Sequence, residues 1–340
     1  MKNRSKVRKF ANLAIQLILL GITYGFIFRQ VFLKNDLPGM FQNLKGKLVE
    51  PFFIEGFALV VLLMAVNWGI ESWKWRMLIG KIEKIGFFQS FQAVLTGVSI
   101  SSFTPNRIGE FFGRVFILKK ASHIEGILVT ILGSMSQLMI TILGGSVAIL
   151  VFIPNYLSAT PLGHGYLYYT FLAVAVIFNL LLLSLFYNIS FVTALKEILF
   201  KRRFGKFRKF LGVFSFYRHK EITTILLLSL FRYVVFSFQF YLLLRILGVV
   251  LPFFHAQLLI SLIFFIMAMI PTIALAELGI RGSVSLYIFG LYYSQIGVMG
   301  HAFVLPVLAS STLLWLINLG LPALAGTFFL FRLQFFRNHR

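Results

Sequence analysis

Apolar residues in this chain come in runs too long for the alternating faces of a soluble core. Stretches near 10–28, 52–72, 124–153, 166–187, 222–245 and 302–331 are almost without charge. Each is about as long as the roughly 20 residues a helix needs to cross hydrocarbon. Each therefore predicts a membrane span. Two further regions, 87–120 and 255–293, are equally apolar but broken, the first at "TPNRIGE" and the second at "IPTIALAELGIRG". The reading is an all-α polytopic membrane protein with about six full spans and two broken-helix segments.

The distribution of charge decides how the broken segments run. Lys2, Arg4, Lys6, Arg8 and Lys9 place the N-terminus in the cytoplasm, because cytoplasmic flanks collect Lys and Arg. The N-terminal run has the basic flank of a signal peptide but no small-x-small cleavage site, so a retained first span is expected. If 87–104 crossed completely, the basic loop 188–221, with Lys196, Lys201, Arg202, Arg203, Lys206, Arg208, Lys209, Arg218 and Lys220, would face outward. The positive-inside bias rejects that arrangement.

If 87–120 enters the membrane and returns, the loop becomes cytoplasmic. The stretches 154–165, 246–256 and 291–301, which hold no Lys, Arg, Asp or Glu, then fall outside. The first outer loop, with Arg29, Lys34, Lys45 and Lys47, is the exception. The order span, span, broken pair, span then occurs twice, over about 1–153 and about 154–340. The second copy has the opposite topology. This predicts one integral membrane domain, 1–340, built as an inverted repeat with two re-entrant hairpins, the plan of many transporters. Both termini are expected to be cytoplasmic, in a cytoplasmic (inner) membrane.

Both breaks share a pattern: Pro105 precedes Glu110 and Arg114, and Pro271 precedes Glu277 and Arg281. Proline stops the preceding helix. Glu four residues before Arg places an ion pair on one helix face in the favourable order, and Arg107, three residues before Glu110, joins that face. Pro105, Gly109, Pro271 and Gly279 are assigned to the hairpin turns, where irregular backbone must line a cavity or be buried in protein. Gly109 and Gly113 are also spaced for close helix contact. One reading is that the pairs merely neutralise each other and lock the hairpins. Against it, a mid-membrane charge costs at least ~2.5 kcal/mol on insertion scales, and the first site has a surplus arginine of the kind that binds phosphate.

Arg232 lies half-way along an otherwise apolar span. It either pairs with Glu110 or Glu277 or meets an anionic head group. Gln137, Gln239 and Asn318 are read as interhelical hydrogen-bonding residues, and Trp68, Trp73 and Trp75 as interfacial anchors. The basic loop, with its interleaved phenylalanines, fits an amphipathic helix on the inner leaflet.

Composition agrees: 59% of residues are hydrophobic and 12% charged, and 32 Lys+Arg against 10 Asp+Glu give a net charge of +22. The excess matches cytoplasmic loops better than nucleic acid, and no nucleic-acid partner is expected. There is no cysteine, hence no disulfide or thiolate chemistry. The six histidines, His123, His164, His219, His255, His301 and His339, show no metal-like spacing. No phosphate-binding G-x-x-x-x-G-K-[ST] loop occurs. No cofactor, no metal and no catalytic motif is expected.

The stretches "TPNRIGEFFGRVFILKK" and "IPTIALAELGIRGSVSLYIFG" resemble the two signature regions of the lysylphosphatidylglycerol synthase transmembrane, or flippase-like, family. "NWGIESWKWRMLI", residues 67–79, is similar to the segment before the first signature. The resemblance covers about 10–331. It implies a role in moving lipid-linked polar groups across membranes, including aminoacylated phospholipids and polyprenyl-linked sugars. The family's second signature commonly reads Gly-x-Gly-x-Arg-Glu. Here the acid has moved from the position of Gly282 to that of Glu277. No aminoacyl transferase half is expected after residue 331, so synthesis of lysyl-lipid is not.

The expected function is flippase-like translocation of an anionic or polyprenyl-linked lipid. Arg107, Arg114, Arg232 and Arg281 would meet its phosphate, and Glu110 and Glu277 would orient those arginines or take up a proton. The alternatives are a polyprenyl-phosphate glycosyltransferase, disfavoured because Asp36 and Glu50 stand alone, and a non-transporting partner subunit in envelope lipid synthesis. The expected partners are membrane lipids, with a homo-oligomer or envelope-synthesis enzymes as protein partners.

Overall fold

The computed structural model describes residues 50–102, 104–156, 165–188, 212–272, 274–297 and 302–330, with 46 and 210. The predicted span at 10–28, both termini and most of the basic loop 188–221 lie outside the described residues. The described chain is helical. α1 is Pro51–Ile79, α2 Phe87–Ser101, α3 Gly109–Val115, α4 His123–Tyr156, α5 Gly165–Tyr187, α6 His219–Ile246, α7 Phe253–Met269, α8 Ala274–Gln295, α9 Val304–Trp315 and α10 Leu321–Leu330. A π-helical turn, Leu316–Gly320, joins α9 to α10.

Five of these segments are long and apolar enough to cross a membrane: α1, Pro51–Ile79; α4, over His123–Phe152; α5, Gly165–Tyr187; α6, His219–Ile246; and Val304–Phe329, across α9 and α10. They coincide with five of the six predicted runs. The protein is a multi-pass helical membrane protein, helices being one of the two forms that satisfy a spanning backbone without water.

α1 and α6 run antiparallel along their full length. Gln239 Nε2 donates to Val60 O (2.9 Å) near one end, Arg232 reaches Asn67 and Glu71 in the middle, and Tyr217 Oη donates to Leu78 O (2.8 Å) at the other. The end marked by Leu78 collects basic segments. Lys81 pairs with Glu221, and the Glu83 carboxylate accepts the backbone N–H groups of Lys119, Lys120 and Ala121 at 2.7–2.9 Å. Glu83 therefore ties together the two ends of the first broken segment, so 87–115 starts and finishes on one face of the bundle.

Within that segment α3 folds back along α2. A Cβ on Gly113 would come within 2.7 Å of Gly97 Cα, and one on Gly109 within 2.7 Å of Ile100 O. Only hydrogen fits at these crossings, which is why both positions are glycine. The second broken segment is also a hairpin: His255 and Tyr292, at its two ends, sit 6.0 Å apart between ring centroids. It starts beside the far end of α6, where Phe253 packs on Tyr241 at 5.1 Å. The two hairpins thus rise from opposite faces, and their tips meet. Asn106 N donates to Thr272 O at 2.9 Å.

The first turn is not made by glycine. Asn106 (φ 52) and Arg107 (φ 56) are consecutive left-handed residues, Asn being one of the few side chains at ease there. Gly109 follows at the first position of α3, while Gly279 lies inside α8 rather than in the second turn.

Candidate functional site

The hairpin tips, α1, α6 and the α9–α10 junction surround a cavity of about 690 Å³. Its charged wall is built from both hairpins, α1 and α6. Glu71, buried on α1, accepts from three cations: Lys74 Nζ at 2.9 Å, Arg114 Nη1 at 2.8 Å and Arg232 Nη1 at 2.9 Å. Arg114 also bonds Glu110 one turn earlier on α3. Glu277 accepts from Arg281 Nη2 at 2.6 Å, one turn later on α8, and from Arg107 Nη2 at 2.7 Å, across the hairpin tips. Both predicted Glu-x-x-x-Arg pairs are therefore formed.

Arg107 does not bond Glu110 on its own hairpin. The left-handed turn carries it to Glu277 on the other. Arg232 pairs with neither Glu110 nor Glu277. It bonds Glu71 and, through Nε, Asn67 Oδ1 (3.0 Å), with its guanidinium 5.1 Å from the Trp68 ring centroid. Asn67 Nδ2 in turn donates to Asn318 Oδ1 (3.1 Å) on the π-helical turn, so the network extends to the last described span.

Glu71 and Lys74 were not among the sequence-predicted site residues. The available signal was an acid and a base one turn apart inside an apolar span, itself a mark of an intramembrane site. Trp68 and Trp75 are not interfacial anchors: both are buried, and Trp75 Nε1 donates to Thr130 Oγ1 at 3.0 Å. The charges on Glu71 and Lys74 draw this face of α1 into the bundle. Trp73, on the opposite face, is exposed. Gln239 and Asn318 make the expected interhelical bonds, whereas Gln137 lines the cavity with its Oε1 unbonded.

The network holds five cations, Lys74, Arg107, Arg114, Arg232 and Arg281, against three carboxylates, leaving two surplus positive charges. The cations differ in access. The side chains of Lys74 and Arg114 are sealed, Arg232 is 20% exposed and Arg107 41%. Arg281 is buried with its Nε and Nη1 unbonded. The lining also has an apolar part, with Leu138, Phe236, Phe264, Met267 and Met269, of which Leu138 and Met269 are exposed. Such a chamber can hold an anion against arginine beside apolar side chains. No group of His, Asp and Glu fit to hold a metal ion occurs among the described residues.

No curated protein and no solved structure matches the chain. A family model described as the lysylphosphatidylglycerol synthase TM region matches residues 47–305, which include both hairpins and every charged residue of the network. The chain belongs to the family of lysylphosphatidylglycerol synthase transmembrane regions.

Proposed function

We propose that this protein translocates an anionic lipid or lipid-linked intermediate, of the polyprenyl-phosphate or glycolipid kind, across the cytoplasmic membrane. The two hairpins act as re-entrant elements of an inverted repeat. The observation that carries the reading is the net-positive cavity where the tips meet, lined by charged and by apolar side chains. Holding surplus cations at this depth is costly for a purely structural element. An anionic head group offsets that cost, and its chain stays in the bilayer beside Leu138 and Met269.

The test is reconstitution in liposomes without nucleotide, following a head-group-labelled phosphatidylglycerol between leaflets. Transport is expected, and Arg232→Gln should slow it more than Lys220→Gln, because Lys220 is an exposed and screened charge. Folded protein that moves neither phosphatidylglycerol nor a polyprenyl phosphate would defeat the proposal.

A further inference from the structure

Arg107 differs from the other cations of the network in three ways. It is the most accessible, with 41% of its side chain exposed. It is the cation that reaches from one hairpin to the other. Its backbone is left-handed, as is that of Asn106 before it, a conformation that non-glycine residues hold only when their surroundings enforce it. Bonds to Thr104 within the hairpin hold the turn from one side, and the tip contact, the Asn106 N to Thr272 O bond and the Arg107–Glu277 ion pair, holds it from the other.

The pair is asymmetric. Glu277 is buried but has a second partner, Arg281, on its own helix. Losing Arg107 therefore leaves Glu277 paired, and avoids the large penalty of a lone buried carboxylate. Arg107, facing the cavity, exchanges one oxyanion for another if a phosphate takes the place of Glu277. Arg114 has no such freedom, being sealed between Glu71 and Glu110.

Building on the proposed lipid path, we infer that Arg107 is a cargo-operated latch. The phosphate ester of a net-anionic lipid displaces Glu277 from Arg107, and without that ion pair the Asn106 N to Thr272 O bond no longer holds the two hairpin tips together. The surplus of two positive charges sets the class of ligand. A phosphate diester or monoester brings the site toward neutrality, whereas a head group with net positive charge adds to the excess and leaves the latch closed.

Since the sequence has no cysteine, Ile108→Cys and Met269→Cys place one spin label on each hairpin, at positions 47% and 69% exposed. The distance between them reports tip separation in the full chain. In phosphatidylcholine vesicles a single short distance is expected, and in phosphatidylglycerol vesicles a longer population that grows severalfold. Lysyl-phosphatidylglycerol and phosphatidylcholine with added inorganic phosphate should leave the short distance in place. Arg107→Gln should show the longer population without anionic lipid and no further response to it, while Arg107→Lys should keep the lipid response. An unchanged distance in phosphatidylglycerol, or a full lipid response in Arg107→Gln, would overturn the latch. An equal response to inorganic phosphate would overturn the lipid as its ligand, and an equal response to lysyl-phosphatidylglycerol would overturn the charge rule. Lipid flux in the same vesicles separates the two claims. Flux without tip separation removes the latch alone, and separation without flux removes translocation alone.

Discussion

Arg232 Nη1 lies 2.9 Å from Glu71 Oε2, a contact between the middle of α6 and a residue 161 positions earlier on α1. It joins the most conspicuous intramembrane arginine to a carboxylate that already serves Lys74 and Arg114. Because three cations converge on one acid, the partners are not equivalent.

Glu71→Gln should therefore be far more damaging than Arg232→Gln. The first leaves Lys74 and Arg114, both sealed from solvent, without their shared counter-charge. Breaking a buried pair in this way costs about 3–5 kcal/mol. The second leaves Glu71 with two cations, and Arg232 is itself partly exposed, so the loss should be about 1 kcal/mol. Thermal unfolding in detergent measures both. Equal losses would mean that Glu71 is not the centre of the network.

Reversing the pair on α3 should fail to rescue it. In a two-member ion pair, Glu110→Arg combined with Arg114→Glu restores attraction. Here Arg114→Glu sets a carboxylate against the buried Glu71, a repulsion that the companion change does not remove. Folded yield of the double variant should stay at or below that of either single one. Recovery to the wild-type yield would show that Arg114 and Glu71 do not meet.

Gly113→Leu should cost about 1–3 kcal/mol through overpacking, since the α2–α3 crossing has no room for a side chain at that position. Gly69→Leu is its control, because a Cβ there meets nothing within 4 Å. Similar melting temperatures for the two variants would contradict the folded-back position of α3.

Single cysteines carry no background in this chain. Lys84→Cys, Lys120→Cys and Lys220→Cys should react with impermeant maleimide from one side of the membrane, and Tyr166→Cys and Phe254→Cys from the other. All five positions are exposed. Lys84→Cys and Phe254→Cys reacting from the same side would exclude hairpins that rise from opposite faces.

Much of this architecture was legible in the sequence. Run length fixed the five described spans, because hydrocarbon thickness sets helix length. Pro105 and Pro271 marked the breaks, and the i, i+4 spacing fixed the Glu110–Arg114 and Glu277–Arg281 pairs, because helix geometry alone puts such residues on one face. What spacing along one helix cannot specify is which faces meet. The contacts Arg114–Glu71, Arg232–Glu71 and Arg107–Glu277 join residues 43, 161 and 170 positions apart. They exist only because α6 packs antiparallel to α1 and the hairpin tips converge. The same packing buries Trp68 and Trp75 on the charged face of α1 and leaves Trp73 exposed, although all three look alike in sequence. Local periodicity thus determined the charges available at membrane depth. Tertiary packing decided that Glu71 gathers three of the cations and that Arg107 crosses from one hairpin to the other.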